Sequence, residues 1–300
     1  MSLRGPRGFL ALAAFLLAGC ASAPKLTEWK PGATALAAAP LGELGPWRVQ
    51  EADISLEVRA QVGTCQAVVE RYTPTGSTAA AATPLVFAHG FLRDVANHRE
   101  HARHVASWGV PVYLVGHCSG GWRQSAEGVA GGGAGVLAQF MRQVADFSGA
   151  KAVVYGGFSA GGRASRIAAL ADTRTVGWLG LDPVDRVQRE AGSVAFPMYA
   201  LLAPAQSCNA QQMGGSLPRA SKSGKSLEVV GTTHCHFESP SNLLCHAACG
   251  EPGSSERNAA LRQRITWLAT AFVRWRAGLD EAAPDAVWRE VPGVFRSLLD

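Results

Sequence analysis

The chain has 300 residues, 47% of them hydrophobic and 17% charged, with 28 Lys+Arg against 23 Asp+Glu and a net charge of +5. That apolar share excludes a disordered chain and suits one large globular domain. No cluster of Lys/Arg with interleaved aromatics occurs, so nucleic acid is not an expected partner.

In chain order, the first element is a leader. Arg4 and Arg7 precede an uncharged apolar run from Phe9 to Leu17, and Leu17-Ala18-Gly19-Cys20 follows. A charged start, a short apolar stretch and small residues before a cysteine make a signal peptide ending in a lipobox, with the Cys20 thiol as the lipidation point. The apolar run is too short to span a bilayer as a helix. Ala21 after the cysteine resembles outer-membrane rather than inner-membrane lipoproteins. Removing residues 1–19 takes two arginines and no acid, leaving a net charge of +3. Residues 20–46 are Ala/Pro/Gly-rich and read as a tether, which leaves 47–300 as the folded domain. The expected location is the bacterial cell envelope, outside the cytoplasm, with the membrane reached through the lipid anchor.

Strand-like runs follow at 53–58, 66–72, 85–88, 111–115, 152–156, 177–181, 198–202 and 227–230, and helix-like segments at 96–107, 136–146, 160–171 and 256–277. In the last helix, Leu261, Ile265, Leu268, Phe272 and Trp275 repeat at helical spacing and predict a core-facing stripe. Strands alternating with helices predict an α/β domain with a mostly parallel sheet covered on both faces.

Gly157-Phe158-Ser159-Ala160-Gly161 lies between the fifth strand and the third helix. A serine in a sharp strand-to-helix turn, flanked by glycines, is a nucleophile elbow that holds the hydroxyl clear of the sheet. The nucleophile needs a base, and the base an orienting carboxylate, in the chain order Ser, Asp or Glu, His. Between Ser159 and the histidines near 234 the carboxylates are Asp172, Asp182, Asp185, Glu190 and Glu228. Asp182 directly follows the apolar run Val176–Leu181, at a strand's C-terminal end, and is the expected acid, with Asp185 second. His234 comes first off the last strand and is the expected base, with His236 second. The backbone N–H groups of Phe91, in the turn after the third strand, and of Ala160 are the expected oxyanion donors.

Eight strands with the elbow after the fifth resemble the α/β-hydrolase fold. His89-Gly90-Phe91-Leu92, the elbow, Leu181-Asp182-Pro183-Val184-Asp185 and the late histidine together resemble the chlorophyllase branch of that superfamily, neighbours of the cutinase-like polyester hydrolases, over about residues 84–240. In that branch the aspartate of the D-P-V motif is the triad acid, which agrees with Asp182. Two positions depart from it: the elbow is not the G-H-S-R-G of plant chlorophyllases, and His236 stands where similar sequences carry an acid.

Gly116-His117-Cys118-Ser119-Gly120 also matches an elbow, but the glycine-rich residues after it are a poor helix. His98, His101 and His104 read as spread around a helix and solvated, not as a metal site. Cys235, His236, Cys245, His246 and Cys249 offer a zinc-ligand set, yet in an exported protein disulfides are the expected use of such cysteines. The hydrolase fold implies that the second strand runs antiparallel beside the fourth, and hence a Cys65–Cys118 disulfide. Cys208, Cys235, Cys245 and Cys249 then pair among themselves and stiffen the loop carrying His234; counting alone does not set which with which.

The expectation is a monomeric, lipid-anchored serine esterase without cofactor or metal. The short connection after Asp182 leaves no room for a lid domain, so the site should be open to bulky or insoluble esters. An amidase or peptidase on the same three residues, and a non-catalytic surface lipoprotein using the fold for binding, are the alternatives.

Overall fold

The computed structural model describes residues 42–60, 63–76, 81–118, 133–185, 192–250, 253–284, 288 and 295–298. The leader, Cys20 and most of the tether lie outside the described residues, as do the end of the Gly116–Gly120 motif and the side chains of Cys65 and Cys118.

The strands are β1 (Arg48–Ala60), β2 (Gly63–Thr75), β3 (Leu85–Ala88), β4 (Val112–Cys118), β5 (Val153–Phe158), β6 (Thr175–Leu181), β7 (Met198–Leu202), β8 (Lys225–Val229) and β9 (Phe295–Ser297). The described helices are α1 (Arg99–Ser107), α2 (Ala134–Phe147), α3 (Ala160–Ala171), α4 (Leu243–Cys249) and α5 (Ser255–Arg276), with short 3₁₀ turns between some of them. All strands join one sheet in the order β1-β2-β4-β3-β5-β6-β7-β8-β9. From β4 to β8 in that order neighbours are parallel, while β1, β2 and β9 pair antiparallel at the edges.

The strand period of two divides the core into two layers. Leu85, Phe87, Leu114, Val154, Leu179 and Leu201 face α1 and α5. Their neighbours Val86, Val115, Val153, Tyr155, Trp178 and Met198 face α2 and α3. A parallel sheet covered on both sides needs near-continuous apolar strands, and every residue of β3, β5 and β7 is buried. The stripe on α5 packs as its spacing predicts: Leu261, Ile265, Leu268 and Phe272 are buried and Trp275 partly so.

Three expectations need correction. The sheet has nine strands: β9, three residues long and antiparallel to β8, is too short to show a period. The helix α4, between two loops rich in cysteine and polar residues, was not expected either. His98, His101 and His104 are buried, not solvated. At about 100° per residue, a step of three turns back by only about 60°, so His101 and His104 share one narrow arc of α1, and His98 sits at the helix N-cap, at the end of the preceding 3₁₀ turn. That arc is wedged between the sheet and α5, where His104 Nδ1 meets Thr270 Oγ1 at 3.0 Å.

Candidate active site

Ser159 sits between the end of β5 and the first residue of α3 with φ 52° and ψ −122°. A non-glycine residue with positive φ is strained and persists only where its surroundings over-determine it. Here three backbone bonds clamp it to the next strand and turn: Ser159 N–H donates to Leu181 O (3.1 Å), and Ser159 O accepts from Gly162 N–H (3.0 Å) and Val184 N–H (2.9 Å). The flanking glycines are required by close approach. A Cβ on Gly161 would lie 2.3 Å from His89 O, and one on Gly157 2.3 Å from Gly161 O.

Asp182 is the first residue after β6, also at positive φ, and its side chain is 0% exposed. Its Oδ2 is 2.6 Å from His234 Nδ1. Its Oδ1 accepts from Ala203 N–H (3.1 Å) and the Asn209 amide (3.3 Å). His234 opens the 3₁₀ turn after β8, and its Nε2 is 3.0 Å from Ser159 Oγ. Its ring lies over Phe158, centroids 4.6 Å apart. Serine, histidine and aspartate from three separate turns therefore meet in one hydrogen-bonded line at the C-terminal ends of β5, β6 and β8.

The second choices are occupied elsewhere. Asp185 is buried against Arg163 (3.3 Å) and Arg166 (3.9 Å) of α3. His236 accepts the Thr233 N–H at Nδ1 (2.9 Å), which leaves Nε2 as the donor to Asn258 Oδ1 (3.1 Å). Glu228 receives the Gln212 amide (2.6 Å), and Asp172 binds Tyr155 and Arg174.

The turn after β3 abuts the elbow. A Cβ on Gly90 would lie 3.0 Å from Ser159 Cβ, so the Phe91 backbone follows directly beside the serine, as Ala160 does on its other side. His89 Nδ1–H donates to Gly90 O (2.9 Å), and burial lowers the pKa of that imidazole. Arg93 forms a buried ion pair with Glu238 and donates to Asn242 Oδ1 (2.7 Å). Burial raises the Glu238 carboxyl, against the opposing pull of Arg93.

The four late cysteines do pair among themselves, as Cys208–Cys249 and Cys235–Cys245. Helix α4 carries Cys245 and Cys249, so one short helix is bonded to the loop of Asn209 and to the loop of His234. The sulfurs of Cys235, Cys245 and Cys249 lie within 4.8 Å of one another, but the disulfides occupy them. For the other expected bridge, β2 does run antiparallel to β4 with Ala67 opposite Cys118, while the two side chains lie outside the described residues.

Sequence reasoning missed Asn209 and the helix α4 that carries two of the paired cysteines. Asn209 had no local signal, because its contact with Asp182 spans 27 residues. The chain matches no protein-family model and no curated protein. No helix among the described residues is long and apolar enough to cross a membrane.

Proposed function

We propose that the chain is a serine esterase of the α/β-hydrolase fold, acting through an acyl-enzyme. The observation that carries the reading is the line Ser159 Oγ, His234 Nε2, His234 Nδ1, Asp182 Oδ2, with separations of 3.0 and 2.6 Å across the ring. Asp182 holds the Nδ1 proton and so presents a basic Nε2 to the serine. His234 takes the hydroxyl proton as Ser159 attacks the ester carbonyl, then returns it to the departing alcohol. Water, activated by the same nitrogen, releases the acid. The N–H groups of Phe91 and Ala160 are the donors for the oxyanion; one such donor is worth about 10²–10³ in rate. The β2–β4 pairing supports the fold assignment.

Exposed apolar side chains support bulky or insoluble esters as substrates. Phe91 and Leu92, beside the serine, are 39% and 47% exposed, and Leu243 and Leu244, which follow the Asn242 bonded to Arg93, are 84% and 56% exposed. The leader and Cys20 belong to the same reading: a monomeric lipoprotein held at the outer membrane, outside the cytoplasm, by a tether over residues 20–46.

The test is Ser159→Ala. Hydrolysis of p-nitrophenyl esters and labelling by a fluorophosphonate are both expected to vanish while the circular dichroism spectrum stays unchanged. Labelling that survives in the variant sinks the assignment.

A further inference from the structure

The turn that carries the Phe91 N–H is closed by Arg93 N–H, which donates to Gly90 O at 3.2 Å. Its third residue, Leu92, has φ 55°, a position where turns ordinarily use glycine or asparagine. Such a turn persists only where its surroundings hold it. The side chain of its last residue supplies a hold. Arg93 is 7% exposed and faces the Glu238 carboxylate, itself 0% exposed, with Nε on Oε1 and Nη2 on Oε2 (3.0 Å). Glu238 directly follows the 3₁₀ turn opened by His234. Nη2 also donates to Asn242 Oδ1 (2.7 Å), and the same oxygen caps α4 by accepting Cys245 N–H (3.2 Å). One guanidinium thus joins the oxyanion turn, the histidine loop and the helix bonded to that loop through Cys235–Cys245.

We propose that the Arg93–Glu238 pair sets the spacing between the Phe91 N–H and His234 Nε2, as two positioning residues for the ester hydrolysis proposed above, on which this inference rests. Neither side chain bonds to Ser159, His234 or Asp182, whose side-chain partners among the described residues are one another, Ala203 N–H and Asn209. A guanidinium fork matched to two carboxylate oxygens fixes direction as well as distance, which a point charge does not.

The two segments are also docked without the pair. Ser239 N–H donates to Asn97 O (2.8 Å), and Glu100 N–H donates to Ser239 O (3.1 Å). Burial raises the Glu238 carboxyl, and Arg93 and a charged His234 oppose that rise. A buried ion pair is often replaceable by apolar residues of similar size without loss of stability. What the pair adds here is geometry.

The experiment measures hydrolysis of a soluble p-nitrophenyl ester and urea unfolding in two variants. Arg93→Met/Glu238→Met removes both charges and keeps the bulk. Its urea midpoint should match that of the unaltered protein while kcat falls about 10- to 100-fold at unchanged KM, the scale of a small misplacement at a reacting centre. Arg93→Lys keeps the charge but not the fork, and should recover only part of that loss. Full kcat in either variant, or a raised KM with kcat intact, overturns the proposal. A kcat loss matched by a lowered urea midpoint in both variants makes the pair a support of the fold, and also overturns it. Should the double variant not fold, Arg93→Lys decides by the same readouts. Fluorophosphonate labelling separates this inference from the reading beneath it. If the unaltered protein shows no labelling that depends on Ser159, both fall; labelling at an unchanged rate in the variants overturns the positioning role alone.

Discussion

His234 and His98 both pack against one phenyl ring, that of Phe158. Both are buried. His234 has Asp182 on one nitrogen and Ser159 on the other, whereas His98 has no protein partner on either among the described residues. The difference teaches that burial by itself gives an imidazole no direction. A carboxylate on one nitrogen selects the tautomer and leaves the other nitrogen basic and aimed.

The largest break in this comparison is to take the carboxylate away. Asp182→Asn should lower kcat by about 10⁴-fold on a soluble ester, the size of that swap in serine proteases. Asp185→Asn should change it far less, because Asp185 faces Arg163 and Arg166. Equal losses in steady-state kinetics would mean that the orienting acid is misassigned.

Next in size is the clasp beside His234. Losing Cys235–Cys245 in the Cys235→Ser/Cys245→Ser double variant frees the loop that follows His234, while His98 is buried at the N-terminal end of α1 with no disulfide beside it among the described residues. Urea unfolding should show a loss of about 2–3 kcal/mol, the scale for a short closed loop. A midpoint equal to that of the unaltered protein would show that packing alone holds the turn.

The smallest effect probes the far side of the carboxylate. Asn209 donates to Asp182 Oδ1 at 3.3 Å. Asn209→Ala should reduce kcat by about tenfold, since a hydrogen bond to a charged group is worth about 1.5–3 kcal/mol and Ala203 N–H remains. Raised KM with intact kcat would instead place Asn209 against the substrate.

Much of this arrangement was legible in the residues themselves. Ser159 carries its own signal in the two glycines that let His89 O and Gly161 O approach. Asp182 and His234 each follow an apolar strand, and strand ends are where a parallel sheet gathers its loops. The histidine cluster was misread twice over: a step of three does not spread rings around a helix but turns back by only about 60°, and spacing does not tell what covers a side. Here α5, more than 150 residues later, turns the side of α1 into core. Asn209 was invisible for a similar reason.

By itself, the sequence determined the alternation of strands and helices, the two-faced apolar pattern of the sheet and the three residue types of the Ser–His–Asp line, because each rests on neighbours in the chain. Only the tertiary structure decided which carboxylate and which histidine meet Ser159, which cysteines pair, and which histidines lack a hydrogen-bond partner among the described residues. Those outcomes depend on contacts between elements up to 166 residues apart, and no local period records them.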